Sequence, residues 1–165
     1  RGTFAIVADA EGAPFGVMHS SSGDPQDFQV TLGGWLWAGL YASDAAAATT
    51  FYQSIFGYQV HAPEANQNLV GYTLSKQGYA RAGISQLSST SDEHASWVAY
   101  IRVDDVKKTL DSANQLGGTT MVESDADDPS SDMAIIADPF GAPVGFIRWT
   151  FEEDNQTKDA TGAQQ

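Results

Sequence analysis

At 165 residues, with 42% hydrophobic and 11% aromatic residues, the chain has enough apolar material for one packed domain with extensions. It has no cysteine, which excludes disulfides, thiolate metal sites and a cysteine nucleophile. Its net charge of −13, from 21 acidic against 8 basic residues, argues against phosphate backbones and anionic membrane surfaces as partners, so neither nucleic acid nor membrane is expected.

The chain opens on Phe4-Ala-Ile-Val-Ala-Asp-Ala-Glu-Gly-Ala-Pro-Phe-Gly-Val-Met18, two apolar runs around a turn at Gly12. Near the other end it reads Met133-Ala-Ile-Ile-Ala-Asp-Pro-Phe-Gly-Ala-Pro-Val-Gly-Phe-Ile147. Both are Asp-x-x-Gly hairpins, in which Asp starts the turn and Gly supplies the positive φ. Residues 1–19 repeat only this hairpin, with no helix of their own. They are expected to be the remnant of a preceding, similar domain, and the natural start of the protein is expected upstream of Arg1. Residues 20–33 are linker-like. No signal-peptide pattern is visible, and a cytoplasmic location is the working expectation.

A second repeat follows, with a period of about 60 residues. Its first copy begins on the strand Trp35–Ala42. Ser43-Asp44 then caps a helix over Ala45–Phe56, stopped by Gly57. Strands are predicted at Tyr58–His61, Leu69–Lys76 and Tyr79–Gln86, with Gln77-Gly78 as the turn. The second copy has the strand Trp97–Val103, a helix over Val106–Leu116 capped by Asp104-Asp105, and strands at Thr119–Glu123, Met133–Ala137 and Pro143–Thr150. Ala48, Phe51, Tyr52 and Ile55 are the predicted core face of the first helix. Val106, Leu110, Ala113 and Leu116 are that of the second. The fold class is therefore α+β: two paired β-α-β-β-β modules, residues 34–86 and 97–150, forming a curved, open barrel-like mixed sheet with helices outside. Residues 151–165 form a polar tail.

These residues resemble a known family. The helix from Ala46, with Phe51-Tyr52 and Ile55-Phe56-Gly57, the junction Val103-Asp-Asp-Val106 and the turn Asp138-Pro-Phe-Gly141 are similar, in order and spacing, to those of the glyoxalase/bleomycin resistance protein/dioxygenase (vicinal oxygen chelate) superfamily. The tandem, hydroxylase-like members are the most similar subgroup. The resemblance implies one divalent metal held by His, Gln or Glu from the first and last strands of each module, acting as a Lewis acid on substrate oxygens. The positions it implies for those ligands are Ala38 or its neighbour Gly39, Ala82, Val98 and Gly145, none of which has a donor side chain. No metal and no cofactor is therefore expected.

Other candidates weigh against bland readings. The three histidines, His19, His61 and His94, show no helical ligand spacing and read as exposed or capping residues. Glu123, Asp125, Asp127, Asp128 and Asp132 read as a solvated acidic loop. Tyr100 and Arg102 share a strand face with Val98, where they either meet a ligand or fill space. Trp37, Trp97 and Trp149 read as packing residues. No nucleophile elbow or phosphate loop is present.

The expected function is a metal-free cup between modules that binds a small, partly apolar molecule. The expected lining is Ala38, Leu40, Ala82, Val98, Tyr100, Arg102, Gly145 and Ile147. The alternatives are a metal-dependent lyase, dioxygenase or hydroxylase-like enzyme, or a structural half of a tandem protein, and the sequence leaves open whether the chain is an enzyme. A homodimer through the unpaired hairpin edge is the expected assembly.

Overall fold

The computed structural model describes residues 2–24, 26–62, 71–88, 94–123 and 132–150. Its elements are β1 (Gly2–Ala8), β2 (Pro14–Ser20), β3 (Trp35–Ala42), α1 (Ala45–Phe56), β4 (Gln59–His61), β5 (Gly71–Lys76), β6 (Tyr79–Gln86), β7 (Ser96–Arg102), α2 (Val106–Gln115), β8 (Thr119–Val122), β9 (Met133–Ala137) and β10 (Pro143–Ile147). The class is α+β: two β-α-β-β-β modules whose eight strands belong to a mixed sheet. The chain divides into two compact units, residues 1–29 with 36–100 and residues 30–35 with 101–165.

In the first unit the strands run β4-β5-β6-β3-β7, with β3 parallel to β6 and with β4-β5 and β5-β6 antiparallel. α1 forms where the sequence places it. The Asp44 carboxylate accepts the Ala47 amide at 2.9 Å, and Gly57 ends the helix in the left-handed region at φ 65°. Its inward face is Ala45, Ala48, Thr49 and Tyr52. That face packs on Leu40 and Ala42 of β3, Leu74 of β5, and Ala82 and Ile84 of β6. Ile55, predicted for the core, is exposed, and Phe51 is only half-buried. The inward face is therefore turned toward Ala45 and Thr49, while Phe51 and Phe56 meet a second layer.

That layer is the hairpin β1-β2. Phe15 meets Phe51, Tyr52 and Phe56 with ring centroids 6.5, 5.3 and 6.0 Å apart. Ala13 is fully buried in the same cluster. The hairpin is also fixed by polar contacts. The Tyr52 hydroxyl donates to the Asp9 carboxylate at 2.9 Å, and the Glu11 carboxylate accepts the amides of Ser43 and Asp44 at 2.7 and 3.0 Å, just ahead of α1. Further along, Asp27 forms a two-pronged ion pair with Arg81, at 2.6 and 2.9 Å.

In the second unit α2 is capped by Asp105, whose carboxylate accepts the Lys108 amide at 2.8 Å. Val106 and Leu110 of α2 pack on Ala134, Ile136, Val144 and Phe146 of the β9-β10 hairpin. Leu116 lies just past the helix and is exposed, unlike its predicted place in the core.

The two hairpins match in detail. Ala8 pairs with Pro14 as Ala137 pairs with Pro143. Asp9 accepts the amides of Glu11 and Ala13, and Asp138 those of Phe140 and Ala142, all at 2.8–3.0 Å. Gly12 and Gly141 turn the chain at φ 89° and 92°. In this match Phe15 stands where Val144 packs on α2. The corresponding face of the β1-β2 hairpin turns Phe15 onto α1 and leaves Ala5 and Val7 exposed. Its other face, with Phe4, Ile6 and Met18, is exposed.

Candidate functional site

Side chains of a strand alternate between its two faces. In the first unit Leu40, Ala42, Ala82 and Ile84 face α1. Trp37, Gly39, Tyr41 and Gly83 therefore belong to the opposite face. Tyr100 of β7 joins them there, its hydroxyl 2.6 Å from that of Tyr41.

Glycine lets an aromatic ring approach the backbone closely at two points on this face. A Cβ on Gly39 would stand 3.2 Å from Cε2 of Tyr100, and one on Gly83 would stand 3.3 Å from Cζ2 and Nε1 of Trp37. The two aromatic rings lie directly on backbone at positions where any side chain would crowd them. Tyr100 and Val98 are buried, whereas Trp37 and Tyr41 are half-buried and present part of their rings to solvent. Burial pushes both phenols of the pair up from the usual tyrosine range. For Tyr100 the neighbouring Tyr41 adds to the rise. Both hydroxyls stay protonated across the ordinary pH range.

The sequence-derived lining divides accordingly. Leu40 and Ala82 pack against α1, and Ala38 shares their parity on β3 and β6. The strands carry Gly39 and Gly83 on the other face, one residue along from Ala38 and Ala82. Val98 and Tyr100 lie on that face as expected from their strand. Arg102, in the second unit, is held by backbone: Nε donates to the Trp149 carbonyl and Nη1 to the Val30 carbonyl, both at 2.8 Å. It is 7% exposed and fastens residues 30–34, where the Gly34 carbonyl accepts its amide and its carbonyl accepts the Gly33 amide. Its guanidinium is thus committed to structure rather than to a ligand. Gly145 and Ile147 alternate with Val144 and Phe146 and so point away from α2.

The donor set for the metal implied by the family does not fit. Gly39 and Gly83 offer no side chain, and Val98 and Gly145 no donor atom. Among the described residues no group of three His, Asp or Glu could hold an ion. Of the histidines, His19 and His94 are exposed, and His61 Nε2 pairs with the Ser75 hydroxyl at 2.7 Å across β4 and β5. Asp125, Asp127 and Asp128 lie outside the described residues, while Asp132 pairs with Arg148. Trp97 packs as predicted, its indole N–H donating to the Tyr52 hydroxyl at 3.1 Å, while the Trp149 ring is exposed. Trp37, Tyr41 and Gly83 were not assigned to a site from sequence, and Gly39 was named only as the alternative to Ala38.

Fold and site together define a β-α-β-β-β module protein of the vicinal-oxygen-chelate class. The chain belongs to the glyoxalase-like domain family, whose model matches residues 37–147. It is 32% identical over 112 residues to CFP32 of Mycobacterium bovis (strain ATCC BAA-935 / AF2122/97), a provisionally named glyoxylase, covering 66% of this chain and 43% of that protein. It is 26% identical over 146 residues to the anthracycline biosynthesis protein DauV of Streptomyces sp. (strain C5), covering 88% of this chain and 52% of that protein. The chain thus spans about half the length of the curated relatives it matches. Among solved structures, methylmalonyl-CoA epimerase from Mycobacterium tuberculosis shares the fold, with a TM-score of 0.51 at 16% identity over 78% of this chain and 97% of that one. No described helix is long and apolar enough to cross a membrane.

Proposed function

We propose that this glyoxalase-like domain binds a small, flat, partly apolar molecule without a metal, on the face formed by Trp37, Gly39, Tyr41, Gly83 and Tyr100. The observation that carries the reading is the pairing of each glycine with an aromatic ring. Gly39 and Gly83 leave backbone, Trp37 and Tyr100 cover it, and the partly exposed Trp37 and Tyr41 rings give a flat surface with a hydroxyl at one end. Apolar surface with a few convergent polar groups is the usual make-up of a small-molecule site. Relatives named for glyoxylase and anthracycline-pathway roles are compatible with a small-molecule ligand.

The detailed match of the two hairpins supports a domain reading as well. Residues 1–19 are the closing hairpin of a preceding β-α-β-β-β module, and 20–33 the connection to the glyoxalase-like domain of 34–150. In that reading Phe4, Ile6 and Met18 are the interior wall of the earlier module.

Titration with 2-ethylnaphthalene, followed by calorimetry and by the backbone amide shifts, tests the binding proposal. The expected shifts centre on Trp37, Tyr41 and Gly83, and Trp37→Ala weakens binding about tenfold, equivalent to about 1.4 kcal/mol. Shifts confined to other surfaces, or a Trp37→Ala affinity equal to the parent's, sink the proposal.

A further inference from the structure

Tyr41 and Tyr100 bring two hydroxyls within 2.6 Å of each other. Each hydroxyl has one proton to donate and two lone pairs to accept with. One proton is used in the bond between them. Whichever oxygen donates, the other hydroxyl keeps a proton, and no described group accepts it. Tyr41 is half-buried, so a proton on its side lies within reach of solvent or of an acceptor on a bound molecule.

The enclosure sets the direction. Tyr100 is 2% exposed and its ring lies on Gly39, whereas Tyr41 is half-buried. The satisfied arrangement has Tyr100 donating to Tyr41 and Tyr41 donating outward. A donor that itself accepts a hydrogen bond is polarised and becomes stronger.

We propose that the occupant of this face carries a carbonyl oxygen, conjugated to its flat apolar body, which accepts a hydrogen bond from the Tyr41 hydroxyl while Tyr100 holds that hydroxyl in place. This deepens the binding function proposed above and rests on it. The pair is neutral and carries no cation, and the chain's net charge is −13, so a neutral ketone or aldehyde suits the site better than a carboxylate. Tyr41 is here a ligand-contacting residue and Tyr100 a positioning residue.

The test compares 2-acetylnaphthalene with 2-ethylnaphthalene, two probes of one shape that differ in the oxygen, by calorimetric titration of the whole chain. The parent is expected to prefer the ketone about tenfold, the worth of one hydrogen bond. Tyr41→Phe is expected to bring the preference within about twofold, read as the ratio of the two affinities measured on that variant. Tyr100→Phe keeps the donor but loses its support, and is expected to give an intermediate preference. Equal affinity of the parent for both probes overturns the carbonyl proposal and leaves the binding proposal standing. So does an undiminished preference in a folded Tyr41→Phe variant. If neither probe binds the parent, both proposals are overturned. The comparison within the parent decides the matter even if a variant does not fold.

Discussion

Replacing Phe15 with Ala destabilises the folded chain by about 2–4 kcal/mol, toward the lower end of the range for buried Phe→Ala because the ring is half-buried. The ring meets three aromatic rings of α1 within 6.5 Å, and edge-on pairs add about 0.5–1.5 kcal/mol each beyond the area they bury. The loss is read as a lower urea midpoint at unchanged m-value. Phe4→Ala, on the exposed face of the same hairpin, is the control and changes stability by no more than about 0.5 kcal/mol. The contrast separates a hairpin that is part of the first unit from a loosely attached tail. Equal, small effects at both positions would show that β1-β2 does not pack on α1.

Arg102→Met is the second large loss, about 2–4 kcal/mol, because a buried guanidinium that donates to two main-chain carbonyls is removed and the carbonyls of Val30 and Trp149 are left to find other donors. The segment 30–34 lies against the end of β7 through the same residue. Faster hydrogen exchange at the Gly33 amide is expected to accompany the drop in stability. A variant of parental stability would return Arg102 to the ligand-binding role that its strand position first suggested. Affinity for the naphthalene probes is expected to stay at the parental level in this variant, since no contact of the proposed face involves Arg102.

The architecture was legible because its signals are local. Asp44 and Asp105 cap helices where the sequence places caps, Gly57 ends α1, and the two Asp-x-x-Gly turns fold alike down to their amide bonds. The face that each strand turns to α1 was less legible. β3 reads Trp-Leu-Trp-Ala-Gly-Leu-Tyr-Ala, apolar on both faces, so its two-residue period does not say which face meets the helix. Leu40 and Ala82 were placed on the binding side, whereas α1 covers them, and the resemblance to the family gave Gly39 only as a neighbour of Ala38. Arg102 misled for a different reason. A charge in an apolar strand suggests a ligand, but the carbonyls that satisfy it come from residues 72 and 47 positions away. The docking of Asp9 on Tyr52 spans 43 residues and has no local signature either. Ile55 and Leu116 fit the helical period, yet neither is buried: the inward face of α1 runs through Ala45, Ala48, Thr49 and Tyr52, and Leu116 lies past the last residue of α2.

The central claim is that this member of the family binds a small molecule without a metal. The most direct measurement is the dissociation constant of 2-acetylnaphthalene, determined by calorimetry on one protein preparation in excess EDTA and again with an added divalent cation such as Mn²⁺ or Zn²⁺. The account predicts the same constant, within about twofold, in both conditions. Binding that disappears in EDTA and returns with the cation would contradict it.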